Sequence, residues 1–331
     1  MTELSARRFS DAELLDAELV ITDGNQLDHA TSSPPPPGLS PKIVAEYDLP
    51  SGADARRCCY CPSHTRHRKG FIVTFESPDL YLVGSHCGPK YLGLEFKVAT
   101  GTHSKLKDRK SALVRLSQIA AIASELRNWC ETLLFSEGWK ALDAVARQFQ
   151  AAAPDAFIRL RAIVNTSGQL IEDVQVRDFA AEALRKDSGD ETKNLPPIFR
   201  TESVVIAPLR GRGFLMTEDI RSSVYALKIQ AAEVTSVASK PTDGFMVGKL
   251  TNLAVEFDRK RKAVLEGIER LQRAHLFLSP DHIEALVRWA EGGTSNRLRV
   301  EDGRLVLDGK GGPTVLAAPP ALIVPPPPSA G

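Results

Sequence analysis

Aromatic residues make up only 6% of this 331-residue chain, methionines number three and cysteines five. No apolar run approaches the roughly 20 residues that a helix needs to cross a bilayer. The best candidate, residues 315–324, is interrupted by Pro319 and Pro320. A secretory leader is also lacking, because Met1 to Asp16 is polar and acidic where a leader is basic and then apolar. These absences point to a soluble, cytoplasmic protein with no membrane partner, in which cysteines stay reduced. Formal net charge is only +1, so the chain as a whole is not a polycation. Also missing are internal repeats and the catalytic signatures Gly-x-Ser-x-Gly, His-Glu-x-x-His and Gly-x-Gly-x-x-Gly. Those gaps weaken the case for an enzyme without closing it, since catalytic groups are often gathered from distant positions.

The charge is unevenly placed. Residues 1–54 hold three basic and ten acidic side chains, whereas residues 55–115 hold twelve basic and four acidic ones. The basic block also contains four of the five cysteines and three of the seven histidines, all between Cys58 and Gly93. Cys58 and Cys61 form a Cys-x-x-Cys step, which supplies two thiolates to zinc from one tight turn. Two apolar runs follow, 71–75 and 80–83, separated by Ser77-Pro78-Asp79. Phe71, Val73 and Phe75 alternate onto one face, so the runs are expected as a β-hairpin that returns Cys87 to the first pair.

This order of knuckle, hairpin and short helix resembles treble-clef zinc fingers. It also resembles small zinc modules of uncharacterised bacterial and phage proteins that read Cys-x-x-Cys, a basic His-containing turn, then Val-Gly-x-x-Cys-Gly. The likeness covers residues 58–93 and implies a fold for them, with no activity and no family for the rest of the chain. It implies Cys58, Cys61, His67 and Cys87 as ligands, with Cys59, His64 and His86 as competitors. Three thiolates and one imidazole fill a tetrahedron, so the Zn²⁺ is expected to be structural and not catalytic. The zinc-deaminase pattern is absent.

Seven segments are expected: an acidic disordered arm and Pro-rich linker (1–41), the zinc-binding module (42–102), a helical domain (103–186), a loop with a short strand (187–216), a long helical hairpin plus short helix (217–292), a β-hairpin (293–309) and a disordered Pro-rich tail (310–331). Ala112, Ile119, Ile122, Leu126, Trp129 and Leu133 step at helical spacing along one stripe, with Cys130 beside it as a core thiol. Three more helices are expected after Ser136, the last over about 170–185. The basic Gly-rich turn at Pro208–Phe214 lacks the spacing of a phosphate-binding loop and reads as a connector. Thr217 opens a helix, and Leu250, Phe257, Val264, Ile268 and Leu271 mark a longer one of near-heptad spacing, carrying the basic run 259–262. Ser279-Pro280 starts a short helix and Asp302-Gly303 turns a hairpin. No role is assigned to His275 or His282.

The expected fold is therefore mainly α, with a small α+β zinc module, a bundle resembling a helical hairpin or coiled coil, and a C-terminal β-hairpin. The leading functional expectation is docking on DNA or RNA phosphates through Arg56, Arg57, Arg66, Arg68 and Lys69, with helices for assembly. The first alternative is a zinc-stabilised scaffold whose long helices bind a protein partner or self-associate. The second is an enzyme with a site between the helices and residues 203–215.

Overall fold

The computed structural model describes residues 10–31, 33–35, 38–61, 66–76, 78–187, 196–240, 242, 245–292, 297–309 and 312–328. His64, residues 188–195 within the expected loop, and residues 241, 243 and 244 of the expected turn lie outside them. The chain is mainly helical and divides into two compact units, Met1–Ala121 with Val234–Val255, and Ile122–Glu233 with Glu256–Gly331. No helix among the described residues is long and apolar enough to cross a membrane.

The first unit contains α1 (Asp11–Asp16), β1 (Val20–Ile21), β2 (Lys42–Asp48), β3 (Arg56–Arg57), β4 (Arg66–His67), β5 (Lys69–Thr74), β6 (Leu80–Gly84) and the start of α2 (Cys87–Phe135). Its main sheet has the order β1-β2-β5-β6, antiparallel except for the β1–β2 pair. Period-two alternation divides its side chains between two cores. Ile72 and Leu82 pack with Ile21, Leu27 and Tyr47, while Val73, Tyr81 and Val83 pack with Phe75, Phe96 and Cys59.

Residues 10–31, expected as part of a disordered arm, are instead folded onto this sheet. Ser10 and Glu13 close a capping box at the start of α1. Leu14, Leu19, Ile21 and Leu27 are buried. Arg109 of α2 grips both carboxylate oxygens of Asp11, at 2.6 and 2.9 Å, and donates to the carbonyls of Thr242 and Phe245 at 2.8 and 2.7 Å. The acidic charge that suggested a solvated tail is thus partly consumed by an internal, bidentate pair.

The second unit holds α3 (Glu137–Ala152), α4 (Pro154–Asn165), β7 (Gln169–Arg177), α5 (Phe179–Asp187) and β8 (Phe199–Pro208). It also holds the first part of α6 (Thr217–Ala238), the second part of α7 (Val247–Gln272), α8 (Pro280–Glu291), β9 (Arg297–Glu301), β10 (Arg304–Gly309) and β11 (Gly312–Val315). Its centre is aromatic. The Phe214 and Phe277 rings stack at 4.5 Å, and Phe149 meets them edge-on at 6.0 and 5.6 Å. Here α6 and α7 run antiparallel, with Lys260 bonded to Gln230 at 2.6 Å and Gly267 set against Ile220. Cys130 is fully buried, and burial pushes its thiol up to about 12.

Three expectations change in this unit. The first half of the proposed fourth helix is β7, paired antiparallel along its whole length with β8. Ile171, Val174 and Val176 are β-branched, Leu170, Val174 and Val176 share one face of the strand, and cross-strand pairing decides the matter against a helix. The hairpin at Asp302-Gly303 is joined by β11 into a three-stranded antiparallel sheet. The Pro-rich tail is docked through residue 328 and not loose. Leu316 and Leu322 are buried, Trp129 Nε1–H donates to the Pro325 carbonyl at 2.9 Å, and Arg261 donates to that of Pro328 at 2.8 Å. The basic run on α7 is largely occupied internally, since Arg259 pairs with Glu256 and Lys260 and Arg261 are bonded as above.

His282, in the first turn of α8, is buried and uses both ring nitrogens. Nε2 accepts the Arg210 backbone N–H at 3.1 Å, and Nδ1–H donates to the Phe277 carbonyl at 2.8 Å. That pattern requires the neutral ring, and burial lowers its pKa from 6.5, with Arg210 acting in the same direction. A depressed histidine pKa gives stability that is complete above about pH 6.5 and lost as pH falls through the folded value. All three tryptophans lie in this unit. The urea midpoint read by their fluorescence is therefore expected to drop between pH 7.5 and 5.5, and to drop less in His282→Gln. An equal drop in both proteins would remove His282 as its source.

Candidate metal centre and basic ribbon

The cysteine-rich stretch is shaped by close backbone approaches. Cys61 N–H reaches the Cys58 carbonyl at 3.4 Å, closing the knuckle, and Cys59 N–H donates to Leu82 of β6 at 2.9 Å. Alternation along this segment places Cys59 in the apolar cluster with Phe75, Tyr81 and Phe96. The neighbouring Cys58 thiol instead accepts a hydrogen bond from Gly84 N–H at 3.4 Å. Cys87 begins α2, and the chain breaks helical geometry at Gly93 (φ 58°, ψ −130°), leaving Cys87–Leu92 as a short turn of helix. An added Cβ on Gly88 would lie 2.2 Å from the Phe96 ring, so glycine there lets the turn sit down on the core.

Cys58 stands at the centre of the polar group. Its side chain is within hydrogen-bonding reach of Cys59, His67 and Cys87, and Cys87 also reaches Cys61. A hydrogen bond from the Cys59 thiol, helped by His67 and the backbone N–H groups of Gly84 and Tyr60, holds Cys58 near 3, well below an ordinary thiol and against the effect of burial. Cys59 is correspondingly pushed far up, and burial raises Cys87 to about 11. Within the cluster, Cys58 is thus the thiol whose ionisation its neighbours ease most.

His67 is held from two sides. Its Nδ1 shares a 2.5 Å hydrogen bond with Tyr47 Oη, and the two rings stack at 5.7 Å. The opposite nitrogen, Nε2, is buried and makes no regular hydrogen bond, the Cys58 thiol being the polar side chain that the ring reaches on that side. Gly70 and Gly84 face each other across β5 and β6, and this pair makes the space. A Cβ on Gly70 would meet Tyr47 Oη at 2.6 Å, and one on Gly84 would meet His67 Nε2 at 3.1 Å.

The four residues implied as ligands are thus linked through thiol and imidazole contacts. Cys59 is engaged by the core, His86 is exposed, and His64 lies outside the described residues. Among the described residues, no three His, Cys, Asp or Glu side chains stand in the arrangement of a formed metal site. The donor chemistry nevertheless fits zinc. Soft thiols and a buried imidazole whose other nitrogen is bonded to a phenol are what such a site uses.

The five basic residues separate into different roles once β3 and β4 are paired. Arg56 lies opposite His67 and Arg57 opposite Arg66. Arg56 turns inward, donating to the Gly24 carbonyl at 2.5 Å and pairing with Asp28 at 2.9 Å. Lys69 pairs with Asp48 at 2.8 Å, and Arg68 Nε–H donates to the Ala53 carbonyl at 3.1 Å. Arg57 and Arg66 are exposed, and neither has an acidic partner among the described residues. Nearby, the Tyr60 and Tyr91 rings stack at 5.5 Å, with Lys90 Nζ 5.3 Å from the centre of Tyr91. The distinction between Arg56 and Arg57 depends on which face of the ribbon each occupies, a property that a count of basic residues does not contain.

No family model, no curated protein and no solved structure matches this chain.

Proposed function

We propose that residues 42–102 form a zinc-stabilised module that docks on nucleic-acid phosphates. Cys58, Cys61, Cys87 and His67 Nε2 would hold the ion, which when bound supplies a rigid, structural crosslink. The reading is carried by one observation: Arg57 and Arg66 lie directly across the β3–β4 ribbon with no acid between them. Like charges in that position repel. A polyanion would relieve the repulsion and release counterions, so affinity should fall steeply with salt.

The test is fluorescence anisotropy with labelled single- and double-stranded DNA and RNA. Zinc-loaded protein is expected to bind saturably at low salt, and Arg57→Glu/Arg66→Glu to lose most of that affinity while keeping zinc. Arg68 and Lys69 already have partners, so reversing them should matter less. Absence of binding at low salt would overturn the proposal, as would an unchanged affinity in the double variant.

A second reading, as a protein-interaction scaffold, is favoured by the exposure of Phe179 (68%), Phe199 (53%) and Val205 (52%) on α5 and β8. Large apolar side chains exposed on a two-stranded ribbon and on the helix that follows its first strand suit a protein partner. This reading expects partner capture to survive the Arg57/Arg66 reversal and to fail in Phe179→Ser/Phe199→Ser.

A further inference from the structure

The Gly-rich basic turn that the sequence offers as a connector lines a cavity of about 560 Å³ in the second unit. Four guanidinium-bearing residues border it: Arg210 and Arg212 from the turn, Arg270 and Arg273 from the end of α7 and the residue after it. Glycines create this convergence. Gly211 is left-handed (φ 58°), and a Cβ there would lie 2.3 Å from the Phe277 backbone nitrogen. A Cβ on Gly213 would lie 2.3 Å from the Arg270 carbonyl oxygen, so glycine brings the turn into backbone contact with α7. Gly168 makes room for the Arg212 guanidinium, which donates to the Gly168 and Leu209 carbonyls at 3.2 Å. His282 fixes the same turn by accepting the Arg210 N–H.

The charges around the cavity are only partly satisfied. Arg210 pairs with Asp281, and Arg273 pairs with Glu269 at 2.8 Å. Arg212 is oriented by neutral carbonyls, which leave its positive charge uncompensated. Arg270 has no acidic partner among the described residues. Glu266 stands at the same wall. Val164, Leu209, Met216 and Leu276 supply apolar lining.

We infer that this cavity binds a mononucleotide. Its volume lies within the roughly 300–1,000 Å³ typical of sites for small organic ligands. Guanidinium groups match the geometry of phosphate oxygens and bind them in pairs. The apolar lining receives the base, and the Glu266 carboxylate accepts from ribose hydroxyls or an exocyclic amine. Inorganic phosphate would use only the first of these three features. The site is separate from the β3–β4 ribbon and does not depend on the nucleic-acid reading.

Isothermal titration with the four ribonucleoside monophosphates, a nucleoside and inorganic phosphate tests the assignment in the full chain. At least one monophosphate is expected to bind. Arg270→Glu/Arg273→Glu, in which both altered side chains are exposed, should weaken it by about tenfold or more. An unchanged tryptophan-fluorescence urea midpoint establishes that this variant is folded. Arg57→Glu/Arg66→Glu should leave mononucleotide binding unchanged, which separates the cavity from the ribbon. Binding by none of the monophosphates would overturn the inference. So would equal affinity for inorganic phosphate, or loss of binding only in the ribbon variant.

Discussion

Protein purified without chelator is expected to carry one zinc per chain, and the Cys58→Ser and Cys87→Ser variants to carry none. A small sheet module that held a structural ion would draw much of its stability from it. Structural zinc in small domains has an apparent binding free energy of about 10–16 kcal/mol near neutral pH. Loss of the ion should therefore unfold the knuckle and expose the amides of β5 and β6 to rapid hydrogen exchange. Cys59→Ala is the informative control. Its thiol packs beside Phe75 and Phe96 and donates to the Cys58 thiol, so the variant should be destabilised and hold zinc more weakly while still reaching full stoichiometry at saturating zinc. Tyr47→Phe removes the hydrogen bond to His67 Nδ1 and should weaken zinc by about 10–100-fold, the usual effect of losing a partner behind a ligand. Zinc at full stoichiometry in Cys87→Ser, or its loss in Cys59→Ala with retention in Cys61→Ser, would sink this assignment of ligands.

What could be read from the sequence was whatever depends on neighbours a few residues apart. The 71–75 and 80–83 runs pair as a hairpin because alternation and a turn lie within 15 residues of one another. The α2 stripe follows from helical spacing alone, and Asp302-Gly303 turns the chain through its own backbone preference, with both residues at positive φ. The failures involve distant partners. Leu170 and Val174 stand four apart, which suits a helix as well as a strand, and the choice is made by β8, where Ile171 meets Val205. The Pro-rich tail has the composition of a loose segment, but Trp129, 196 residues earlier, binds it. His282 gave one local hint, its place in a first helical turn. Its actual use is as acceptor for Arg210, 72 residues away.

Replacing Gly211 by alanine is expected to destabilise the second unit by about 3 kcal/mol or more, read as a drop in the tryptophan-fluorescence urea midpoint. Two costs act together. A left-handed conformation costs a residue with a Cβ about 1–2 kcal/mol. The added carbon would then stand 2.3 Å from the Phe277 nitrogen and 2.8 Å from its Cα, and backbone cannot rotate aside as a flexible side chain does. Relief requires moving the turn off Phe277, which loosens the Phe214–Phe277 stack and the His282 bond to Arg210 at the same time. Gly303 separates the two costs. Its φ is 70°, but nothing lies within 4 Å of the missing Cβ, so Gly303→Ala should lose only the conformational part, about 1–2 kcal/mol. Equal losses at the two positions would mean that the contact with Phe277 carries no weight. The arginines of the turn would then be held over the cavity by something other than this glycine. A large excess at Gly211 would tie the seating of Arg210 and Arg212 to the same backbone contact that completes the aromatic core.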